Sequence, residues 1–584
     1  MSERILIGVA WPYANGSLHL GHIAGAYLPP DILARYHRTK GNEVLMVSGS
    51  DQHGTPIAIK AEQEGKSPAE IASKYHQQFL ECWQKLGISF DLFTSTGTAN
   101  HAEVAQEIFL TLLNKGYIYR DTVSQPLCPN CQRFLPDRYI EGTCPFCHYP
   151  EARGDQCENC GRPLNPSDLV EPRCRICGTP PEFKDSEHFF LRLSAFEDKL
   201  LSWVKQQTHW RQNVLNFTVS YLEGGLKDRA ITRDIEWGIP VPLDGFKGKC
   251  LYVWFEAVIG YLSATKEWAK SVGDAEKWRS FWQEEETKSY YFIGKDNIPF
   301  HTIIWPAMLM GYGNLNLPYD VPANEYLTIE GRKLSTSHNW AVWLPDYLEC
   351  YDPDPLRYFL SINMPETHDA DFSWREFFRR NNDELVATYG NLVHRVLTFV
   401  YRNFNGTVPD SEYGQFRRYM DDLKVDMSTV SFQEKHDPSR KIDELSINMI
   451  EDAKMTFREV GHFLADCEFR QAIMSAMGLA QGTNRYLEKT SPWEVIKEGR
   501  QAAANSLYVA LCLISYLRTM MYPFLPFSSQ KLHALLGFEG NIEDCHWEPT
   551  IPEPGQKLLP PEPLFSKLDE KLVEEEASRL GSVP

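Results

Sequence analysis

The chain is 584 residues long, 43% hydrophobic and 12% aromatic, with a net charge of −19. A single core stops growing well below this length, so about three to five structural units are expected and a disordered chain is excluded. The acidic balance excludes a protein that is basic throughout but leaves room for a local basic strip, because counterion release depends on the residues at a contact.

In chain order, residues 4–11 read as an apolar strand that stops at Pro12, too short for a secretory core. Residues 20–40 read as helical with a stop at Gly41, and Pro29-Pro30 should kink or divide that helix. A second apolar strand follows at 43–48, after which Thr55 and Pro56 should open a helix as N-cap and N1. This alternation predicts a doubly wound, Rossmann-type α/β fold. From about Tyr117 to Trp237 the periodicity is lost among prolines and C-x-x-C pairs. It returns with a strand at 250–255 before a helix at 257–264, and a strand at 290–293 before a helix at 300–310. An insertion therefore splits one α/β domain. Beyond about Pro355, apolar spacings of three and four at 377–404, 444–466, 469–488 and 502–521 predict an α-helical bundle. The longest apolar run, 507–517, is about half a membrane span and closes on Arg518, so a cytoplasmic protein without membrane contact is expected.

Eight of the fourteen cysteines form four C-x-x-C pairs, Cys128/Cys131, Cys144/Cys147, Cys157/Cys160 and Cys174/Cys177. Two such pairs complete a closed tetrahedral zinc site, so the eight thiols predict up to two structural Zn2+ ions that fold the insertion. Spacing alone leaves open which pairs share an ion.

Two further motifs point to phosphate chemistry. Residues 12–22, PYANGSLHLGH, lie between the first strand and its helix, where a doubly wound fold binds ligands. His19 and His22 are three apart and share one face of the first turn, Gly21 lets a flat group approach, and a helix N-terminus favours phosphate. Two imidazoles there can stabilise charge developing on a phosphoryl centre. The second motif, GRKLSTS at 331–337, offers Lys333 and three hydroxyls on a Gly-led loop able to close over a triphosphate.

In this order and separation the two motifs resemble the HIGH and KMSKS elements of class I aminoacyl-tRNA synthetases. The blocks SGSDQHGTPI, YVWFEAVIGY, YFIGKDNIPFHTIIWPAML, RKLSTSHNWAVW, DFSWREFFRRNNDELVATYGNLVHR and NRYLEKTSPW are similar to the methionyl-tRNA synthetase family over about residues 4–545. The resemblance implies a Rossmann-type catalytic domain in two halves, 1–116 and 234–325, split by a zinc-knuckle insertion at 117–233. A KMSKS-loop and stem-contact region at 326–385, an anticodon-binding helical bundle at 386–545 and a Pro-rich tail at 546–584 that folds back would follow.

The implied activity is methionine–tRNA ligation. L-Methionine and ATP, with Mg2+, give methionyl-adenylate and pyrophosphate, and methionine passes to the 3′ end of tRNA(Met) for initiation and elongation. His19, His22 and Lys333 would be catalytic. Gly21, Arg233, Gly294, Asp296, Lys333 and Thr336 would bind ATP. Asp51 would pair with the substrate ammonium group, and Tyr13, Trp254, Ala257, Tyr261 and His301 would line the methionine pocket, aromatic walls suiting a thioether. The family also favours nested zinc sites, with Cys144, Cys147, Cys157 and Cys160 on the first ion and Cys128, Cys131, Cys174 and Cys177 on a second. Asn391, Arg395 and Trp493 would read a CAU anticodon, with Arg375, Arg379 and Arg380 as local positive charge. The absence of a barrel after the bundle implies a monomer.

Three positions depart from the family pattern: Thr336 replaces the second lysine of the loop, Val258 a frequent proline and Asn297 a frequent isoleucine. Two rival readings are a class I synthetase for another amino acid and a catalytically inactive, synthetase-like zinc-ribbon RNA-binding protein. The short insertion leaves no room for the editing domain of the branched-chain enzymes, and no cysteine precedes Cys82, where a cysteine enzyme would keep a catalytic zinc ligand.

Overall fold

The computed structural model describes residues 2–162, 164–414 and 443–582. Residues 415–442 of the expected bundle lie outside the described residues. The chain divides into two compact units, one of residues 1–18, 44–84 and 90–325, the other of 19–43, 85–89 and 326–584.

The first unit is built on a five-stranded sheet. Its strands are β1 (Arg4–Val9), β2 (Glu43–Ser50), β3 (Leu92–Ser95), β4 (Lys288–Gly294) and β5 (Ala323–Asn324), in the order β5-β4-β1-β2-β3. β1 pairs in parallel with β4, β4 with β5 and β2 with β3. Strands of such a sheet are covered on both faces, which is why Ile5, Leu6, Ile7, Val9, Leu45, Met46 and Val47 read as unbroken apolar runs and are buried. The chain leaves β1 toward β2 on one side and supplies β4 on the other, so a crevice is expected at the carboxyl ends of β1 and β4.

The insertion leaves this layer as a long antiparallel pair, Ile118–Cys128 against Glu182–Leu191. Beyond it, Ile140–Thr143 pairs with Ala152–Arg153 and with Val170–Cys174. Its own core is small, chiefly Leu135, Tyr139, Ile140, Leu164 and Leu169 around four buried cysteines. A core of that size calls for covalent or metal staples.

Two expectations are corrected here. The helix Thr55–Glu64 is capped by Gly54 at φ +90°, a conformation costly for threonine, so Thr55 and Pro56 occupy the first helical positions. Residues 250–255 are not one strand. Cys250–Leu251 is a two-residue strand, and the Tyr252 carbonyl accepts from the Phe255 and Glu256 N–H groups at 2.9 and 3.1 Å, starting the helix Val253–Glu256.

In the second unit the first helix is divided as expected, though by a π turn, Ile23–Tyr27, ahead of the prolines at the start of Leu28–Thr39. The bundle contains Asn391–Asn403, Glu444–Ala465, Phe469–Thr490, Arg500–Met521 and Pro526–Leu535. Arg500–Met521 is buried at every position from Ser506 to Met521, so the apolar run is the bundle's central helix. Among the described residues no helix is long and apolar enough to cross a membrane. The tail packs within this unit: Asn381 and Asn382 donate to the Ser566 and Leu568 carbonyls, each at 3.0 Å.

Candidate active site

In the first unit, Tyr13 follows β1, Asp51 follows β2, and Gly294 ends β4, all at the carboxyl edge of the sheet. Backbone bonds tie the first two loops together, Ala14 N–H to the Asp51 carbonyl and Asp51 N–H to the Pro12 carbonyl, both at 2.8 Å. Trp254 Nε1 donates to the Tyr13 hydroxyl at 2.5 Å, and its ring meets Phe300 edge-on at 4.7 Å. Tyr261 and His301 are bonded at 2.7 Å, and His301 Nδ1 faces the Asn297 carbonyl at 3.0 Å. A carbonyl only accepts, so Nδ1 carries the proton and Nε2 accepts from the Tyr261 hydroxyl. Burial pulls His301 down to about 4, which keeps this ring neutral. Ala257 begins the turn between Trp254 and Tyr261. The Asn297 side chain is exposed and Val258 is buried in that turn; the His301 contact uses the backbone carbonyl of Asn297, which the departure from isoleucine leaves in place.

Asp51 is 3% exposed, and desolvation, with the charge of Glu256, holds its carboxyl well above the usual range; the His53 N–H at 3.3 Å opposes this. A cation brought to this carboxylate would restore its charge. Arg233 stacks 3.8 Å above the Tyr252 ring and donates to the Ala230 and Thr232 carbonyls. With Tyr252, Trp254 and Phe300 it borders a cleft of about 570 Å3 whose other wall, including Phe146 and Asp155, belongs to the insertion. Asp296 is exposed in the turn after β4, and a side chain at Gly294 would meet nothing within 4 Å. Sequence reasoning missed Phe300, Tyr252 and the buried Glu256 with its two histidine partners. An acidic residue in an apolar helix, two positions after Trp254, was the available signal for the last.

In the second unit, His19 and His22 stack with centroids 3.6 Å apart and an 18° interplanar angle. The His19 N–H donates to His22 Nδ1 at 3.2 Å, so His22 carries its proton on Nε2. Burial lowers His22 to about 4, and burial with the neighbouring His22 lowers His19 well below its usual value. The loop bearing Lys333 is a hairpin, Leu327–Ile329 against Arg332–Lys333, whose turn residues Glu330 and Gly331 both have positive φ, +48° and +71°. Lys333 Nζ lies 5.5 Å from the Tyr326 ring, and Thr336 starts the following turn. The two motifs meet: a Cβ on Gly21 would stand 3.2 Å from Leu334, and Leu20 N–H donates to the Val342 carbonyl at 3.1 Å.

Further along this unit, Asn391 and Arg395 share a helix face, and the Arg395 guanidinium lies 4.6 Å from the Trp493 ring. Arg379 and Arg380 do not supply the expected free charge. Arg379 pairs with Glu376 at 2.7 Å and Glu384 at 3.0 Å, and Arg380 with the same two carboxylates at 3.0 and 3.1 Å, while Arg375 stays exposed. Those acids, three to five residues away along the chain, neutralise the patch locally.

The eight clustered cysteines fall into two sets, Cys128, Cys131, Cys174 and Cys177, and Cys144, Cys147, Cys157 and Cys160, each with sulfurs within 4.8 Å of one another. This is the nested arrangement. Bonds of about 2.3 Å to a tetrahedral ion require sulfurs about 3.8 Å apart. The measured separations include 3.4, 3.5 and 3.9 Å in the first set and 3.5 and 4.0 Å in the second. Both sets fit a metal ion.

Comparison with known proteins agrees with this arrangement. Residues 5–397 match the family model of class I tRNA synthetases (M), and residues 439–583 match the anticodon binding domain of methionyl tRNA ligase. A methionine–tRNA ligase of Dehalococcoides mccartyi strain 195 is 61% identical over 581 residues, covering 100% of both chains. One from Thermomicrobium roseum is 50% identical over 99% of both. A solved structure of Mycobacterium tuberculosis methionyl-tRNA synthetase in complex with methionyl-adenylate superimposes with a TM-score of 0.76 at 25% identity, covering 97% of this chain and 100% of that one. With catalytic and anticodon modules matched in order along one chain, the protein belongs to the methionine branch of the class I tRNA synthetases.

Proposed function

We infer that the protein activates L-methionine with ATP and transfers it to the 3′ end of tRNA(Met). The observation that carries this is Asp51, a buried carboxylate on a loop bonded to that of Tyr13, whose hydroxyl accepts from Trp254. An ammonium group would bind at Asp51 and the thioether against the aromatic walls. The methionine carboxylate attacks the α-phosphorus of ATP, forming the acyl–phosphate bond as the bond to pyrophosphate breaks. His19 and His22 donate hydrogen bonds to phosphate oxygens, Lys333 neutralises the departing pyrophosphate, and Thr336 adds a hydroxyl on the same loop. Arg233, Gly294 and Asp296 hold the nucleotide, Asp296 accepting from the ribose hydroxyls. Mg2+ accompanies ATP and supplies countercharge to its phosphates. ATP–pyrophosphate exchange over a panel of amino acids tests the reading: exchange with methionine is expected. Exchange with another amino acid would reassign the pocket, and an inactive chain that still binds tRNA would favour an RNA-binding role.

The two cysteine sets hold structural zinc, which supplies folding energy to the small insertion core. Two zinc per chain are expected by metal analysis. In the nested arrangement the double variant Cys128→Ala/Cys174→Ala loses one ion, whereas Cys128→Ala/Cys144→Ala loses both. The reverse pattern would establish sequential pairing.

The CAU anticodon is read by Asn391, Arg395 and Trp493, the last a stacking platform backed by the Arg395 guanidinium. Truncating Trp493 to alanine should weaken tRNA(Met) binding by roughly ten- to a hundredfold, the worth of one base–aromatic stack. Methionine-dependent exchange without tRNA should stay unchanged; a loss there would mean the tryptophan supports the fold instead.

A further inference from the structure

Glu256 is fully buried on the one-turn helix Val253–Glu256, two residues after Trp254. An isolated buried carboxylate is expensive, so its partners explain its presence. Oε1 meets His53 Nδ1 at 2.8 Å and Oε2 meets His101 Nε2 at 2.5 Å. His101 is 1% exposed on the helix Ala99–Asn114, and its Nδ1 lies 2.8 Å from Ser263 Oγ. The Ser263 hydroxyl proton goes to the Gly260 carbonyl at 3.0 Å, so Oγ accepts and His101 Nδ1 carries a hydrogen. The His101–Glu256 bond therefore holds one proton between acid and imidazole.

The cluster has a direct route to the pocket. His53 donates its backbone N–H to Asp51 Oδ1 at 3.3 Å, and its ring is held by Glu256. The other end of the Glu256 helix carries Trp254, which donates to Tyr13. One side chain thus ties the Asp51–Gly54 turn to the helix that presents the aromatic wall.

We propose that Glu256 is a positioning residue for the amino-acid substrate, setting the distance between the Asp51 carboxylate and the Trp254 wall through His53 and His101. It touches neither substrate nor reacting atoms. Its effect should fall on the affinity for methionine, because the groups proposed to bind phosphate sit on other elements. This rests on the methionine reading given above.

The bonding scheme predicts which replacement is tolerated. A glutamine can accept from His53 through its carbonyl and donate to His101 Nε2 through its amide, keeping both links without the acid. Methionine fills the space and makes neither. In pyrophosphate exchange, Glu256→Met should raise KM for methionine at least about tenfold, the cost of misplacing one charge-assisted contact. The KM for ATP and kcat should stay within about twofold, and Glu256→Gln should restore the methionine KM to within about threefold of wild type. Should Glu256→Met fail to fold, His53→Leu cuts the same link and should show the same split, with melting checked first. Equal changes in both KM values, a fall confined to kcat, or a Gln variant as impaired as the Met variant would each overturn the proposal. An active wild type with an unchanged methionine KM in the variants sinks this inference alone. A wild type without methionine-dependent exchange sinks the functional reading beneath it.

Discussion

Replacing His19 and His22 together with alanine is expected to lower methionine-dependent pyrophosphate exchange by about a thousandfold or more, with tRNA affinity and melting temperature nearly unchanged. The rings stack at 3.6 Å, a separation that two imidazolium ions would resist. Burial holds His22 near 4 and His19 well below its usual value, so both are neutral donors at neutral pH. His22 accepts from the His19 backbone through Nδ1, which leaves its Nε2–H for a ligand. A preorganised neutral donor aimed at developing oxyanion charge contributes about 10²–10³ in kcat. Two on one phosphate act as a unit and fall short of the product of their separate effects. Because both folded pKa values are depressed, loss of the neutral forms should appear only in acid below the ordinary histidine range, for His22 as pH falls toward about 4. The stability linked to this burial declines over the window from about 6.5 down to 4, where the unfolded chain binds protons first. Turnover within tenfold of wild type in the double variant would remove the imidazoles from the phosphate chemistry.

These histidines were legible because the signal is local: spacing of three on a helix start, with a glycine between. The C-x-x-C pairs were legible for the same reason, although which pairs share an ion depends on how the 118–128 and 182–191 strands fold together, which spacing does not encode. What stayed hidden is long-range. Glu256 meets partners 203 and 155 positions away in sequence, and nothing near it announces either histidine. Local geometry was also hidden at three π turns, Ile23–Tyr27, Phe300–Ile304 and Arg380–Gly390. The first lies ahead of the prolines expected to divide its helix, the other two lie where the apolar pattern reads as one continuous helix, and the second turns Phe300 and His301 toward the pocket elements. The misread residues 250–255 show the opposite failure, since β-branched and aromatic residues favour a strand that the Tyr252 carbonyl ends after two residues.

The largest stability effect should come from Asp31. It is fully buried in the first turn of Leu28–Thr39, and Oδ2 accepts from Arg35 Nε at 3.0 Å and Arg357 Nη2 at 2.6 Å. Oδ1 accepts from the Ser89 N–H and hydroxyl at 2.8 and 2.6 Å. Arg357, also fully buried, donates to the Phe524 and Pro523 carbonyls at 2.7 and 2.9 Å, just past the end of the central bundle helix. Those carbonyls lie at the negative end of the helix dipole and offset the triad's net positive charge. Although burial pushes the Asp31 carboxyl up, the two arginines and Ser89 outweigh it and hold it well below the usual range. Its contribution is therefore complete above about pH 4 and lost only in stronger acid. Asp31→Asn removes the carboxylate that bonds both arginines directly and leaves two buried guanidinium groups facing each other, with Asp354 the remaining buried carboxyl that acts on both. Breaking a buried pair in this way costs about 3–5 kcal/mol, which corresponds to a melting decrease of about 10 °C in the transition of this unit. Arg357→Met should cost less, because Asp31 and Arg35 remain balanced. The double variant Asp31→Asn/Arg357→Met should be no worse than Asp31→Asn alone, since it removes one uncompensated charge. An Asp31→Asn protein melting within 2 °C of wild type, or a double variant whose losses simply add, would show that the backbone carbonyls alone hold both arginines.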